Sequence, residues 1–591
     1  MSSFTSTHQT AFDPTLADQD LDVEKQEQLN QPGQIHETDA TGTLSPGATS
    51  FGVSGTTTPD YNTRSVRTSF QTSLPGRGSG LDSDDEEKHG KASSEDETKR
   101  VEQQQSPSQP KYVDVDGQKS ILVEFDPKDK DDLENPKNWP KRKRLGISLM
   151  VASNAFLVSC FASAYLDVAP VLAAIWDTSA TVSKLPFTFY VICWGFGPLL
   201  LAPAGEALGR KWVYVFSSFM WTVFHVGAAR AENMATMIVV RTLASFFGTA
   251  SMVNGSATAV DLFEGVERAG MISLYCLLVF LGPILGPIVG GYVVEYATPI
   301  QDGWRWIFYA AIIAGTAVTV AHAIAPETHE GIILSRKAKR LREESAKNGE
   351  GTNYVSAMDL DNMGLLERFK KATVGALRMI VLEPAVLGMS IWQTTVLGVV
   401  YIFFEGFPHV FQGQYGFTPG QVGLSFIGIG IGMISCCLWT TSFGMKRYVA
   451  KIIKNKGVPT PEMHMDMACI YACALPISLL WFGYSTRTHW ICPIIGSVLY
   501  GYCMIGILLA SFSYTTFAYG PLSASAFAAQ SLIRSCSTGT FPLFGTAFYN
   551  NLGTENATLI LACVSIAEIA IPFVLWKYGP QIRKRSKMSV K

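Results

Sequence analysis

The amino-acid sequence predicts an all-α integral membrane protein, with twelve transmembrane helices in two six-helix bundles behind a disordered N-terminal tail. Three observations carry that expectation. From Leu145 onward, apolar runs of about 20 residues recur, each long enough to cross a hydrocarbon core of ~30 Å. Lys and Arg gather on alternate loops, as membrane insertion requires. Six runs fall on each side of a basic stretch at 326–384, a pattern of two similar halves related by an axis along the membrane normal.

Residues 1–140 hold no long apolar run. They are rich in Ser, Thr, Gln and Asp, and include the acidic block from Asp82 to Glu87 and the Ser/Glu run from Ser93 to Glu97. Such a segment buries too little apolar surface to offset its ordering entropy, so it is expected as a disordered cytosolic tail. No secretory signal is visible, and the first span is expected to act as its own insertion signal. The N-terminal bundle occupies 141–325, with spans near 145–166, 184–203, 212–229, 236–259, 270–294 and 305–325. A cytosolic central loop follows at 326–384. The C-terminal bundle occupies 385–577, with spans near 385–408, 421–443, 466–485, 490–513, 523–549 and 556–576, and a basic cytosolic tail closes the chain at 578–591.

With the tail inside, the external loops carry four basic residues, Lys184, Arg230, Arg305 and Arg487. The other side holds Lys141-Arg142-Lys143-Arg144, Arg210-Lys211, Arg268, Lys446-Arg447, the loop around Arg336 to Arg342 and Arg583-Lys584-Arg585. Both termini are therefore expected in the cytosol.

Composition narrows the function classes. Only 16% of the 591 residues are charged and 47% are hydrophobic, which is unlike a nucleic-acid-binding protein. The 11 Cys form no metal-like pattern, and most sit in apolar runs, where cysteine acts as a small hydrophobe. The nine His are scattered, and His225, His322 and His409 lack ligand spacing. There is no phosphate-binding G-x-x-x-x-G-K-[ST] loop. No metal, cofactor, nucleic-acid partner or enzymatic activity is expected.

The fifth run contains Gly282, Pro283, Gly286, Pro287, Gly290 and Gly291. Three of the glycines recur every four residues and share one helix face with no side chain to hold a neighbour away. Each proline removes a backbone N–H and bends the helix. A helix both kinked and closely approached is expected where two bundles rock against each other, although small-residue packing within any polytopic protein uses the same pattern. The run G-P-x-x-G-P-x-x-G-G also resembles the helix-5 antiporter motif of the major facilitator superfamily.

Other segments carry the same resemblance. Pro203-Ala204-Gly205-Glu206-Ala207-Leu208-Gly209-Arg210-Lys211 resembles the cytosolic helix 2–3 motif of that superfamily, in the form found in fungal drug:H⁺ antiporters. Arg241-Thr242-Leu243-Ala244-Ser245-Phe246-Phe247-Gly248 is similar to its helix-4 motif, and Asp261-Leu262-Phe263 with Arg268 to its helix 4–5 loop. The stretches Glu134 to Pro140, Pro326-Glu327-Thr328, Tyr401 to Pro408, Ser523 to Ala526 with Arg534-Ser535, and Tyr578 to Arg583 match the fungal group in order along the chain. The resemblance implies a gate latch between the halves built from Glu206, Gly209, Arg210, Lys211, Asp261 and Arg268; topogenic charge alone is the simpler reading. Glu206 lies near a helix C-terminus, where a carboxylate calls for a compensating cation such as Arg210.

Ionisable groups inside spans cost at least ~2.5 kcal/mol to insert, so they normally face a wet cavity or a partner. Arg534 lies near the midplane of the eleventh run, and Arg241 nearer the external end of the fourth, where it has room to snorkel. Both are expected to line the pathway. Glu405, among Phe403, Phe404 and Phe407, is expected to carry the proton; an Arg–Glu structural pair across helices is the alternative. Tyr190, Trp392, Gln393 and Gln530 complete the expected pathway lining, Gln530 sitting one turn before Arg534. Glu568 is expected to be structural and Asp167 interfacial.

These readings lead to a proton-coupled exporter of small organic molecules, monomeric in the lipid bilayer of the plasma membrane, the vacuolar membrane being the alternative. Its partners are a small-molecule substrate and protons. Export of polyamines and a non-transporting sensor are the competing functions.

Overall fold

The computed structural model describes residues 111–589 apart from 116–117, 127–128, 298, 350, 362 and 587. The acidic block and Ser/Glu run of the expected tail lie outside the described residues.

The first half is built from α1 (Lys141–Ile175), α2 (Ala180–Leu208), α3 (Arg210–Ala229), α4 (Met234–Leu262), α5 (Gly265–Tyr296) and α6 (Trp306–Ile324). Short side chains start two of them: Ser179 accepts from the Val182 N–H and Asn233 from the Thr236 N–H, each meeting a donor that the first turn leaves unpaired. Between the halves lie α7 (Glu330–Asn348), strand β3 (Asn353–Val355) and α8 (Leu365–Leu382).

The second half begins with α9 (Pro384–Phe407), which runs on through a wide turn where the Gly413 N–H reaches the Pro408 carbonyl at 3.1 Å. The eighth span is α10 (Pro419–Ser425) plus α11 (Ile427–Trp439), followed by α12 (Met445–Lys454). Then come α13 (Met465–Ser485), α14 (Ile491–Tyr519), α15 (Ser523–Thr538), α16 (Phe541–Glu568) and α17 (Ala570–Arg585).

Among the described residues, eleven helices are long and apolar enough to cross a membrane. The difference from twelve arises at the end. The span expected at 523–549 breaks after Thr538, so α15 alone is short. The apolar stretch Phe541–Arg585 is 45 residues, roughly 68 Å of helix at 1.5 Å per residue and too long for one crossing. Gly553 divides it with φ 72° and ψ 166°, a conformation open to glycine and closed to a β-carbon. The eleventh and twelfth crossings meet there.

One expectation fails. The described residues between 111 and 140, read as part of the disordered tail, are folded. Strands β1 (Lys111–Val115) and β2 (Gln118–Leu122) pair antiparallel, and β2 pairs parallel with β3 from the central loop. Val123 packs with Leu334 and Ala338 of α7, flanked by Phe125, Leu341 and Tyr354. Lys337 meets Asp132 at 2.8 Å and Glu134 at 3.2 Å, and Arg340 meets Glu134 at 2.7 Å. The segment is ordered because its few apolar and acidic residues find complementary partners more than 200 positions away, which composition alone does not reveal.

That strap has a pH signature. Burial works against ionised Asp132, but hydrogen bonds from Lys337 and the Glu134 N–H, with the charges of Lys337 and Arg340, together outweigh it and hold the carboxyl below its ordinary value. Arg340 does the same for Glu134 through its hydrogen bond. Carboxyls with lowered folded-state pKa stabilise at every pH above their ordinary values, and that contribution is lost as pH falls through the folded values. Hydrogen exchange of β2, corrected for intrinsic rates, is therefore expected to be constant from pH 8 to about 5 and to rise below about 4.

The helix packing places the glycine–proline run unexpectedly. A β-carbon on Gly282 would lie 2.7 Å from the Phe156 carbonyl oxygen, on Gly286 2.5 Å from that of Cys160, and on Gly290 2.6 Å from that of Ala164. The four-residue stripe thus lies along α1, inside the first half. The face toward the second half is carried by its neighbours: a β-carbon on Gly291 would lie 2.8 Å from the Pro419 carbonyl carbon, and one on Gly423 2.8 Å from the Ile288 Cα.

Candidate transport site and gates

Helices α9, α14 and α15 bring a polar network into the second half. The Arg534 Nη1 donates to the Gln393 Oε1 at 2.9 Å. The Gln393 amide nitrogen donates to the Ser511 hydroxyl at 2.5 Å and the Gln530 Oε1 at 3.3 Å, and Gln530 donates to the Thr515 hydroxyl at 2.9 Å. Gln530 and Arg534 share a face because they are four residues apart on α15. Both glutamines are fully buried, where an unmet amide would be costly, so the network satisfies itself. No carboxylate pairs with Arg534 among the described residues. Its guanidinium lies 5.9 Å from the Phe512 ring, and Phe512 stacks on Phe280 of α5 in the other half. Close by, the Ser531 hydroxyl donates to the Trp194 carbonyl of α2 at 3.2 Å, so the network borders the seam between the halves. Trp392 is buried in the apolar core and enters none of these bonds.

Arg241 is elsewhere. Its Nη2 donates to the carbonyls of Phe161 at 3.3 Å and Ala162 at 3.2 Å. The guanidinium lies 4.4 Å from the Tyr165 ring and 4.8 Å from the Tyr190 ring, a cation–π cage in low dielectric. The Tyr190 hydroxyl donates to the Val158 carbonyl at 3.1 Å and accepts from the Trp221 indole at 3.0 Å. Arg241 is wholly buried, so it does not snorkel, and it has no acidic partner among the described residues. Its Nε and Nη1 make no hydrogen bond.

Glu405 sits on α9 beside a cation, Lys184, that lies in the first turns of α2 and not in an external loop. Lys184 of α2 meets the Glu405 Oε1 at 2.7 Å. The same ammonium donates to the Thr546 hydroxyl at 2.6 Å and the Pro542 carbonyl at 3.3 Å, and Thr546 donates to the Glu405 Oε2 at 2.7 Å. Lys184 is buried and Glu405 half-buried, with side-chain exposures of 8% and 16%, and the pair joins the two halves. Phe187 reinforces the joint, its ring edge-on to Tyr401 at 5.4 Å and Phe404 at 6.2 Å.

At the opposite end, the turn between α2 and α3 holds a second ionic cluster. Gly209 has φ 90°, and a β-carbon there would lie 3.0 Å from the Glu327 carboxyl carbon, so the position admits only glycine on two counts. Glu327 then accepts from the N–H groups of Arg210 at 2.9 Å and Lys211 at 3.2 Å, and also from Thr328 and His329 at 2.9 Å each. An anion at the first turn of α3 meets the unpaired amides and the positive end of the helix dipole. Arg210 extends to the Asn254 Oδ1 at 2.8 Å and Asp261 at 3.4 Å. Arg268 donates to the Phe263 carbonyl at 2.9 Å, closing the turn into α5. Lys211 lies 5.8 Å over the Trp212 ring.

Residues 147–535 match the family profile described as Major Facilitator Superfamily. The chain belongs to the major facilitator superfamily. Among its relatives, the MFS-type efflux pump MFS2 of Trichophyton rubrum is 34% identical over 474 residues, 79% of this chain and 77% of that one. The efflux pump FUB11 of Gibberella moniliformis is 34% identical over 463 residues, covering 77% and 76%. The multidrug transporter TPO1_2 of Candida glabrata is 32% identical over 462 residues, covering 77% of each. Among solved structures, the proton:xylose symporter XylE bound to 6-bromo-6-deoxy-D-glucose superposes with a TM-score of 0.55 at 16% identity, over 75% of this chain and 97% of that one. The protein is thus a multi-pass membrane transporter and not an enzyme.

Within this facilitator, Gln530 and Arg534 share the face of α15 that their four-residue spacing implies and both meet Gln393 of α9, while Arg241 and Tyr190 form a separate cage in the first half. The expected latch departs from its anticipated form. Glu206 is exposed and pairs with nothing among the described residues, because Arg210 turns instead toward Asn254 and Asp261. The cluster joins α3, α4 and the exit of α6, all within the first half. Lys184, Glu327 and Asn254 were missed. A lysine at the start of an apolar run was a legible signal; the partnership of Glu327 with a turn more than 100 residues earlier was not.

Proposed function

We propose that this transporter is a proton-coupled antiporter that exports small organic molecules by alternating access. The Lys184–Glu405 pair carries the reading: a half-buried carboxylate, held by a buried lysine of the other half, couples the separation of the halves to its own charge. While Glu405 is ionised, the pair holds the halves together at that end; when Glu405 takes a proton, the attraction is lost and the halves part. The Arg534–Gln393–Gln530 network is the substrate site, offering a cation and two amides beside aromatic rings. An arginine that no carboxylate balances among the described residues favours anionic or neutral polar cargo over polyamines. The protein works as a monomer in the plasma membrane with both termini in the cytosol, as the basic loops support.

Counterflow into proteoliposomes, with and without an imposed pH gradient, tests this. Flux of an anionic metabolite that rises with the gradient and acidifies the opposite compartment is the expected result; flux indifferent to pH overturns the coupling. Arg534→Gln is expected to raise the half-saturating concentration of anionic cargo about tenfold or more, the loss of one charge-assisted hydrogen bond. An unchanged value would move the substrate site elsewhere.

A further inference from the structure

We infer that Ser586 is a phosphorylation site for a basophilic serine kinase, and that the phosphate releases the last helix from the base of α9. The chain ends its last helix on Arg583-Lys584-Arg585 and presents Ser586 immediately afterwards. Three cations directly before a hydroxyl are the charge pattern by which such kinases choose substrates. Ser586 has left the helix, with extended backbone at φ −67° and ψ 142°, and is only half-buried.

The hydroxyl holds a specific contact. It donates to the Glu383 Oε1 at 2.7 Å and accepts from the N–H groups of Met588 at 3.1 Å and Ser589 at 2.9 Å. Glu383 is 1% exposed, takes a further hydrogen bond from the Tyr519 hydroxyl at 3.1 Å, and is the residue from which α9 begins. One turn earlier, Arg583 grips the Glu462 Oε1 with Nη2 at 2.7 Å and Nε at 3.0 Å. The end of α17 is therefore clipped to the starts of α9 and α13, and Glu383 in turn is tied to the end of α14 by Tyr519. Helix α9 carries both Gln393 and Glu405, so the clip braces the helix on which substrate site and gate depend.

Phosphorylation reverses the sign of that contact. The Ser586 oxygen bonds the γ-phosphorus of ATP, the bond to the departing ADP oxygen breaks, and the hydroxyl proton passes to the kinase base. The donor to Glu383 is gone, and a group of about −1.5 to −2 charge stands against a buried carboxylate, which drives the two apart. The cellular part of the inference rests on the cytosolic orientation proposed above.

The test uses the full chain in lipid nanodiscs with a basophilic kinase catalytic subunit and ATP, read by phosphopeptide mass spectrometry and hydrogen exchange. The expected result is phosphate on Ser586, slowed by Lys584→Gln with Arg585→Gln, and about tenfold faster exchange over Ala570–Arg585. In Glu383→Gln the phosphate is expected to add much less to exchange, a difference that a passive surface modification would not give. Absence of phosphate on Ser586, or phosphate with unchanged exchange, overturns the inference. A C-terminal epitope reachable on intact cells would overturn the orientation and the cellular role while leaving the nanodisc result standing.

Discussion

Glu405→Gln is expected to abolish pH-driven export, with flux no longer responding to the gradient while the protein still folds and reaches the membrane. The structure adds a second consequence. Glutamine leaves the buried Lys184 ammonium against a neutral group, and breaking such a pair, half-buried on one side, costs about 1–3 kcal/mol. Because Lys184 keeps the Thr546 hydroxyl and the Pro542 carbonyl, the loss is expected at the lower end of that range. Lys184→Gln combined with Glu405→Gln removes both charges, and most of the lost thermal stability should return. Coupling should not. Recovery of stability without recovery of coupling separates a proton-carrying acid from a structural pair. If the single variant keeps pH-dependent flux, Glu405 is structural and the proton travels by another group.

Gly286→Val is expected to destabilise the first half by about 3 kcal/mol, with a fall in melting temperature and in monodisperse yield. The reason is geometric: any β-carbon at 286 meets the Cys160 carbonyl at 2.5 Å and the Ser163 hydroxyl, so α5 and α1 must separate along their length. Gly291→Val acts at the other face, against Pro419 of α10, and is expected to slow exchange with a smaller loss of stability. Thermal unfolding and counterflow of both variants check the pair of expectations. If Gly286→Val melts normally yet blocks exchange, the stripe works between the halves, as its sequence alone led one to expect.

Much of the architecture was legible along the chain because its causes are local. Apolar runs located the spans at 305–325, 385–408 and 466–485 to within a residue or so of α6, α9 and α13. Helical spacing placed Gln530 beside Arg534. Span eleven was less legible, because a break at Gly539 and Thr540 interrupts an otherwise apolar stretch. The strap at 111–140 was illegible for a different reason. Five-residue strands with charged neighbours have no stability alone and become ordered only against β3 and α7.

The site divides in the same way. That charged groups at membrane depth need compensation follows from the solvation cost of a charge and needs only the sequence. Which compensation each one finds is a matter of neighbours. Arg241 is met by two carbonyls and two tyrosine rings, Arg534 by an amide, Glu405 by Lys184 more than 200 positions away, and the first turn of α3 by Glu327. Hydropathy, helical period and basic loops are summed over short windows, so they identify the membrane fold, its two halves and the residues that cannot be left alone. Ion pairs, cation–π cages and glycine contacts act over a few ångströms between segments remote in the chain. Only the packed helices decide them, and that is why the glycine stripe lies along α1 and why the partner of Glu405 is a lysine from the other half.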